Sequence, residues 1–204
     1  MVGLVLYAAS IALLVRSSLG NMPWDALTQG LTRHLPWSFG MVTIAVSILV
    51  LACWIPLRQR PGVGTIANVV VIGLLVDPAF ALLELLPEQL PLAAQLAMAA
   101  TGILANGLAT AVYIGARLGP GPRDGLMTGL VRRTGWPVRW VRMGIEGVVV
   151  ATGWALGGTV GLTTLAYALL IGPIVHWLLP RFDRRAAVIE TTAAPALTRS
   201  SAPA

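Results

Sequence analysis

Six long apolar stretches dominate this sequence, each close to twenty residues in length. The charged residues lie mostly between these stretches, which cover residues 2–19, 39–57, 62–86, 90–115, 140–156 and 158–179. An α-helix of about 20 apolar residues is long enough to cross the hydrocarbon core of a bilayer. Because 56% of the residues are hydrophobic and only 11% are charged, the chain has too little polar surface for a water-soluble fold. We therefore predict an all-α membrane protein with about six transmembrane helices in a lipid bilayer.

An internal repeat relates the two halves of the chain at an offset of 99 positions. The segment LGNMPWDALTQGL, which starts at Leu19, aligns without a gap with LGPGPRDGLMTGL, which starts at Leu118. The matches include Asp, Pro, Arg and Trp, which are not generic residues of membrane helices. Since each half holds three spans, the second half enters the membrane from the opposite side. The pattern predicts two inverted three-helix repeats, residues 1–86 and 87–180, an arrangement found in many secondary transporters.

The distribution of positive charge predicts the orientation. All 14 basic residues are Arg, and twelve of them lie in segments that six spans put on the same side as both termini. Positive residues are retained on the cytoplasmic side, so we expect both termini to be cytoplasmic. Residues 181–204, rich in Ala, Thr, Ser and Pro, are predicted to be a disordered cytoplasmic tail. No basic stripe interleaved with aromatic residues is present to bind nucleic acid.

The repeated PWD and PRD motifs are where chemistry is most plausible. Pro23 and Pro122 suit the first position of a helix, and Asp25 and Asp124 then fall in the first turn, where the helix dipole favours negative charge. Each half thus has a short amphipathic helix after its first span, which lies along the interface or enters the membrane as a half-helix. The two Asp residues either cap these helices and pair with Arg, or line a substrate path together with the neighbouring residues Trp24 and Arg123. We expect them near opposite membrane faces.

Further polar residues lie inside the apolar stretches, where ionisable groups tend to mark a pathway. Glu146 has Arg142 four residues before it, which predicts an intrahelical ion pair as the alternative to a role at the pathway. Asp77 has His176 as its repeat partner, so the two suit gates at opposite faces, or Asp77 marks a solvated kink before Pro78. Asn68 and Asn106 are interpreted as interhelical hydrogen-bond formers, with Asn68 kept as a candidate substrate ligand.

Neither a metal site nor a disulfide is predicted. The two His residues have no partner at ligand spacing, and Cys53 is the one cysteine in the chain. No cofactor is expected.

These motifs make the chain resemble the YczE-like membrane proteins of bacteria, which are related more loosely to the YitT group. The resemblance rests on LG at the end of a small-residue first helix, then PWDAL, QGL and GPGPRDGLM with its TGL, and on Gly64, Thr65 and Asn68. It implies a multispan protein of the bacterial cytoplasmic membrane, and some family members are inferred to be transporters. The first helix here is shorter than the family pattern.

The sequence therefore leaves two functions open. We favour a small-solute or ion transporter, and the alternative is a non-transporting scaffold that binds a membrane protein or a second copy of the chain. An enzyme is not expected: intramembrane hydrolysis would need Ser with His, paired Asp or a His-rich metal motif, and we expect the two Asp residues of the repeat near opposite faces rather than together. A cavity that reaches Asp25 or Asp124 favours transport, whereas a sealed bundle favours a scaffold. Because Met1 aligns with Ala100, well inside the fourth span, we also expect the natural protein to start earlier.

Overall fold

The computed structural model describes residues 1–182. This part of the chain is entirely helical and has no strand. Its helices are α1 (Val2–Ser17), α2 (Pro23–Thr32), α3 (Phe39–Trp54), α4 (Val63–Leu83), α5 (Leu92–Gly115), α6 (Pro122–Thr134), α7 (Val138–Ala155) and α8 (Leu162–Phe182). The predicted tail begins within the end of α8, and the rest of it lies outside the described residues.

The helix lengths support fewer full crossings than the sequence suggested. Within the described residues, α4, α5 and α8 are long and apolar enough to cross a membrane. Helices α1 and α3 are apolar, but their 16 residues span only about 24 Å. Helix α1 ends where Ser18 adopts a left-handed conformation. Helix α7 has 18 residues but carries Arg139, Arg142 and Glu146. The all-helical class is confirmed, and the number of crossings stays a prediction.

The helix boundaries repeat at the same offset as the sequence. Helices α2, α3 and α4 begin 99 residues before α6, α7 and α8, and α4 and α8 are both 21 residues long. The turns before α2 and α6 match as well, with φ angles of 127° at Gly20 and 128° at Gly119. Only glycine adopts such angles without strain, which explains why both turns keep it. Below, residues 99 positions apart are called twins.

Hydrogen bonds link the last helix of each half to a loop of the other half. The amide of Gly64 in α4 donates to the carbonyl of Leu118 at 2.7 Å, and the Thr65 hydroxyl donates to the Pro120 carbonyl at 2.7 Å. In the twin contact, the amide of Thr163 in α8 donates to the Leu19 carbonyl at 3.1 Å. The last helix of each half therefore begins on the loop that precedes the short helix of the other half.

Helices α1 and α5 pack together at the centre of the structure, with α4 against α1 and α8 against α5. Apolar side chains including Ile11, Leu14 and Ile103 fill this core. Within this apolar core, the buried Asn106 side chain donates to the Ser10 hydroxyl at 2.9 Å and accepts from the Tyr167 hydroxyl at 2.8 Å. The interhelical hydrogen bonds predicted for Asn106 are thus confirmed.

The two halves differ in how tightly their last helices pack. Helix α3 lies along α4, and a Cβ atom placed on Gly40 would overlap the carbonyl oxygen of Gly73. Helices α7 and α8, their twins, make almost no contact. Instead, α7 packs tightly on α2, because a Cβ on Gly153 would lie 2.6 Å from the amide nitrogen of Leu27. The twin of Gly153 is Trp54, whose buried indole lies between α3 and α6 and donates to the Pro122 carbonyl at 3.0 Å.

Candidate functional site

The starts of α2 and α6 meet at a cavity of about 420 Å³ in the interior of the structure. Pro23 and Pro122 stand at the first turns of these helices, as predicted, and both line the cavity together with the preceding residues Met22 and Gly121. The first amide groups of a helix and its dipole give this end a partial positive charge. Two positive helix ends therefore converge on one cavity.

Helix α2 buries the first part of its polar face. Asp25 and Thr28 are fully buried, and the opposite face packs Trp24, Leu27 and Leu31 against the valines of α3. An interfacial helix leaves its polar face in contact with water. The first turns of this short helix are instead covered on both faces.

Arg123 joins the two motifs. Its guanidinium lies 3.4 Å from the Asp25 carboxylate, and its central carbon lies 5.2 Å from the centre of the Trp24 ring. The Asp25 side chain is fully buried, while a quarter of the Arg123 side chain is exposed. The expectation that Asp25 and Asp124 lie near opposite faces is therefore wrong. Both residues occupy the first turn of a helix, and the two helix starts face each other across the cavity.

Asp124 lines the cavity and has a different environment from its twin. Its carboxylate accepts a hydrogen bond of 2.5 Å from the Tyr113 hydroxyl. It forms no salt bridge with any of residues 1–182. The same acidic position thus has an arginine partner in the first half and a phenol partner in the second.

A second polar group lies on the other wall of the cavity, where α7 and α8 stand apart. Arg142 donates to Glu146 at 2.9 Å, which confirms the predicted ion pair, and both residues line the cavity. Asn68 of α4 and His176 of α8 also line it. Its floor and walls therefore combine charged, amide and imidazole groups.

Two predicted site residues, Asp25 and Asp77, do not line this cavity, and Asp77 makes no hydrogen bond to the described residues of the PWD and PRD motifs. The Asp77 side chain binds the start of α3. Its carboxylate accepts from the Ser38 hydroxyl at 2.6 Å and from the Gly40 amide at 2.8 Å. It therefore ties α4 to the first turn of α3, at the place where these helices pack most closely. Of the other predicted residues, Asp25 lies behind Arg123, and five line the cavity: Trp24, Asn68, Arg123, Asp124 and Glu146.

Several cavity residues were not predicted, although the repeat itself indicates two of them. Tyr167 is the twin of Asn68, and Ser47 is the twin of Glu146. Applying the offset to each candidate residue would have found both. Tyr7 and Tyr113 also line the cavity, but their twins do not, so no repeat signal points to them.

The described residues contain no group of three His, Cys, Asp or Glu side chains arranged to hold a metal ion. The polar groups of the cavity are instead spread along its walls, as in sites that bind a small organic molecule.

Comparison with known proteins identifies relatives along most of the chain. An uncharacterized protein of Haemophilus influenzae is 36% identical over 183 residues, which cover 87% of this chain and 83% of the relative. The uncharacterized membrane protein YczE of Bacillus subtilis is 32% identical over 181 residues, covering 88% and 83%, and YyaS of the same organism is 24% identical over 187 residues, covering 90% and 92%. No solved structure shows significant similarity.

Residues 1–180 match the family described as "Family of unknown function (DUF6198)". This match covers all eight helices up to the last residues of α8 in the described part of the chain. Together with the similarity to YczE, it confirms the resemblance drawn from the PWDAL and GPGPRDGLM motifs. The chain belongs to the DUF6198 family and is similar to the YczE-like membrane proteins.

Proposed function

We propose that the protein is a transporter of a small solute or ion in the bacterial cytoplasmic membrane, with both termini cytoplasmic and its halves inserted as inverted repeats. One observation carries the proposal: twin residues of the two halves line the same cavity. These twins include Trp24 and Arg123, Ser47 and Glu146, and Asn68 and Tyr167. Transporters with inverted repeats bind their solute at the interface of the repeats, often at the ends of half-length helices.

The polarity of this cavity favours transport over a scaffold role. Placing charged groups inside a membrane protein is costly, and they persist where they line a path or bind a ligand. Arg123, Asp124, Arg142 and Glu146 all line the cavity. A scaffold needs no such cavity, because its helices can pack against one another throughout.

The unequal packing of the halves supports an alternating-access mechanism. We define the first gate as the contact of α3 with α4, formed by Ser38, Gly40, Gly73 and Asp77 and by the edge-to-face pair Phe39 and Phe80, whose ring centres are 5.1 Å apart. In the proposed mechanism this contact is the closed gate on one side of the cavity.

The twin positions form no such contact. Gly172, His176 and Leu179, the twins of Gly73, Asp77 and Phe80, line the cavity instead. In the proposed mechanism the α3–α4 end is closed and the α7–α8 end is open, and exchanging these two arrangements between the repeats would expose the cavity to the opposite side.

A cysteine probe tests this function without knowledge of the solute. Ser47 is buried and lines the cavity, so we would replace it with Cys in a Cys53→Ser background and apply a membrane-impermeant thiol reagent to right-side-out and inside-out vesicles. Alternating access predicts labelling from both sides. The matched control is Ala12→Cys, which is fully buried outside the cavity and should react from neither side. Labelling of the Ser47→Cys protein from one side alone would refute the transport mechanism.

A further inference from the structure

The two halves carry the same acidic residue but different residues before it. Arg123 precedes Asp124 in the second half, and Trp24 precedes Asp25 in the first. Arg123 crosses the interface and pairs with Asp25 at 3.4 Å. Residue 24 is the twin of Arg123, and Asp124 is the twin of Asp25. The equivalent contact in the repeat would therefore join residue 24 to Asp124. A tryptophan cannot supply a positive charge, so the second pair of the repeat is incomplete.

Counting charges around the cavity leads to the same residue. Arg123 is paired with Asp25 and Arg142 with Glu146, so these four side chains cancel. Asp124 remains, with a phenol donor and no cationic partner among residues 1–182. Asp124 stands in the first turn of α6, at the positive end of the helix dipole. The cavity is therefore lined by one carboxyl group that has no ion-pair partner among residues 1–182.

The groups beside Asp124 suit a cation that is organic rather than a bare metal ion. Trp24, Tyr7, Tyr113 and Tyr167 all line the cavity, and aromatic faces attract ammonium and guanidinium groups. The Trp24 ring already contacts one guanidinium, that of Arg123. A volume of about 420 Å³ is also within the range of sites for small organic ligands.

We propose that the cavity binds a monovalent organic cation, a primary amine or a guanidine, with its charged group between the Asp124 carboxylate and the ring of Trp24. The cation of the ligand thus pairs with Asp124 in the way that Arg123 pairs with Asp25. This inference rests on the proposed function in taking the cavity as the solute site.

Equilibrium dialysis of labelled probes against the full chain in lipid nanodiscs tests the assignment. The probes are methylguanidine and methylurea, which have nearly the same shape but differ by one positive charge. We expect methylguanidine to bind at least tenfold more tightly, which is about 1.4 kcal/mol, because hydrogen bonds to a charged group are stronger than neutral ones. Equal affinity for the two probes would overturn the proposal.

Two substitutions localise the site. Asp124→Asn should weaken methylguanidine binding about 10-fold to 100-fold. Trp24→Arg supplies the missing arginine of the repeat, so it should pair with Asp124 and abolish binding, whereas Trp24→Phe should keep binding within a few-fold. Undiminished binding by a folded Trp24→Arg protein would overturn the assignment. If that variant does not fold, the Asp124→Asn result decides alone.

Uptake of the same probes into proteoliposomes separates the two proposals. Asp124-dependent binding of methylguanidine without uptake would support the cation site and contradict transport. Uptake of methylurea or acetate by a protein that does not bind methylguanidine would support transport and overturn the cation site.

Discussion

The pair of Asp25 and Arg123 predicts that one substitution has unequal effects at twin positions. Asp25→Asn leaves the Arg123 guanidinium in the interior with no carboxylate beside it. Breaking a buried ion pair by removing one partner costs about 3–5 kcal/mol. The 3.4 Å contact is longer than an ideal hydrogen bond, and a quarter of the Arg123 side chain is exposed. We therefore expect about 2–3 kcal/mol, below the full figure for a buried pair.

Asp124→Asn is the matched control, since Asp124 occupies the same turn of the twin helix. The amide oxygen of Asn can still accept from the Tyr113 hydroxyl, so the loss should be about 1 kcal/mol or less. Because the two changes have the same effect on a helix dipole, that effect cancels when the two free energies of unfolding are compared.

Reversible unfolding in mixed detergent micelles, followed by circular dichroism, measures both free energies of unfolding. Combining Asp25→Asn with Arg123→Gln completes a double-mutant cycle, which should give a coupling energy of about 1 kcal/mol or more. If Asp124→Asn destabilises the protein as much as Asp25→Asn, or if the coupling energy is near zero, the ion pair does not stabilise the fold.

Three further predictions follow from the turns, the gate and the topology. Gly20→Ala should lower the free energy of unfolding by about 1–2 kcal/mol or more, because φ is 127° and a Cβ would lie 2.7 Å from a backbone nitrogen. The control is Gly147→Ala in α7, which has open space around it and should be neutral or stabilising. Similar effects of the two substitutions would refute the strain argument. Asp77→Asn should weaken the first gate and raise labelling of the cavity cysteine from the gated side, and an unchanged rate would mean that the carboxylate does not hold the gate. Cysteines replacing Glu88 and Arg132 should react from outside and inside respectively, and cytoplasmic labelling at position 88 would contradict inverted repeats.

The sequence predicted the local features of the fold well. The prolines at the starts of α2 and α6 and the ion pair of Arg142 with Glu146 depend on helix periodicity or on short-range chemistry. These features are encoded within a few turns of chain, and that is why they could be predicted from patterns. For Asn106, an amide inside an apolar helix indicated interhelical hydrogen bonds, but not its partners Ser10 and Tyr167, which lie 96 and 61 positions away.

The long-range features were harder to predict. Nothing near Asp77 indicates that it accepts from Ser38, which is 39 positions away, and the offset of 99 does not say how the two short helices dock. The meeting of Asp25 with Arg123 depends on that docking. Apolar length likewise does not show that α1 and α3 end after 16 residues. Tertiary packing decides all of these features.

The exchange of loop contacts between the halves constrains how the protein is made. When the start of α4 leaves the ribosome, the Leu118 and Pro120 carbonyls that accept from Gly64 and Thr65 have not yet emerged. The first half must therefore wait in the membrane with the start of α4 undocked until the loop before α6 follows. Neither half can complete its own architecture, so assembly depends on the second half arriving in the same bilayer.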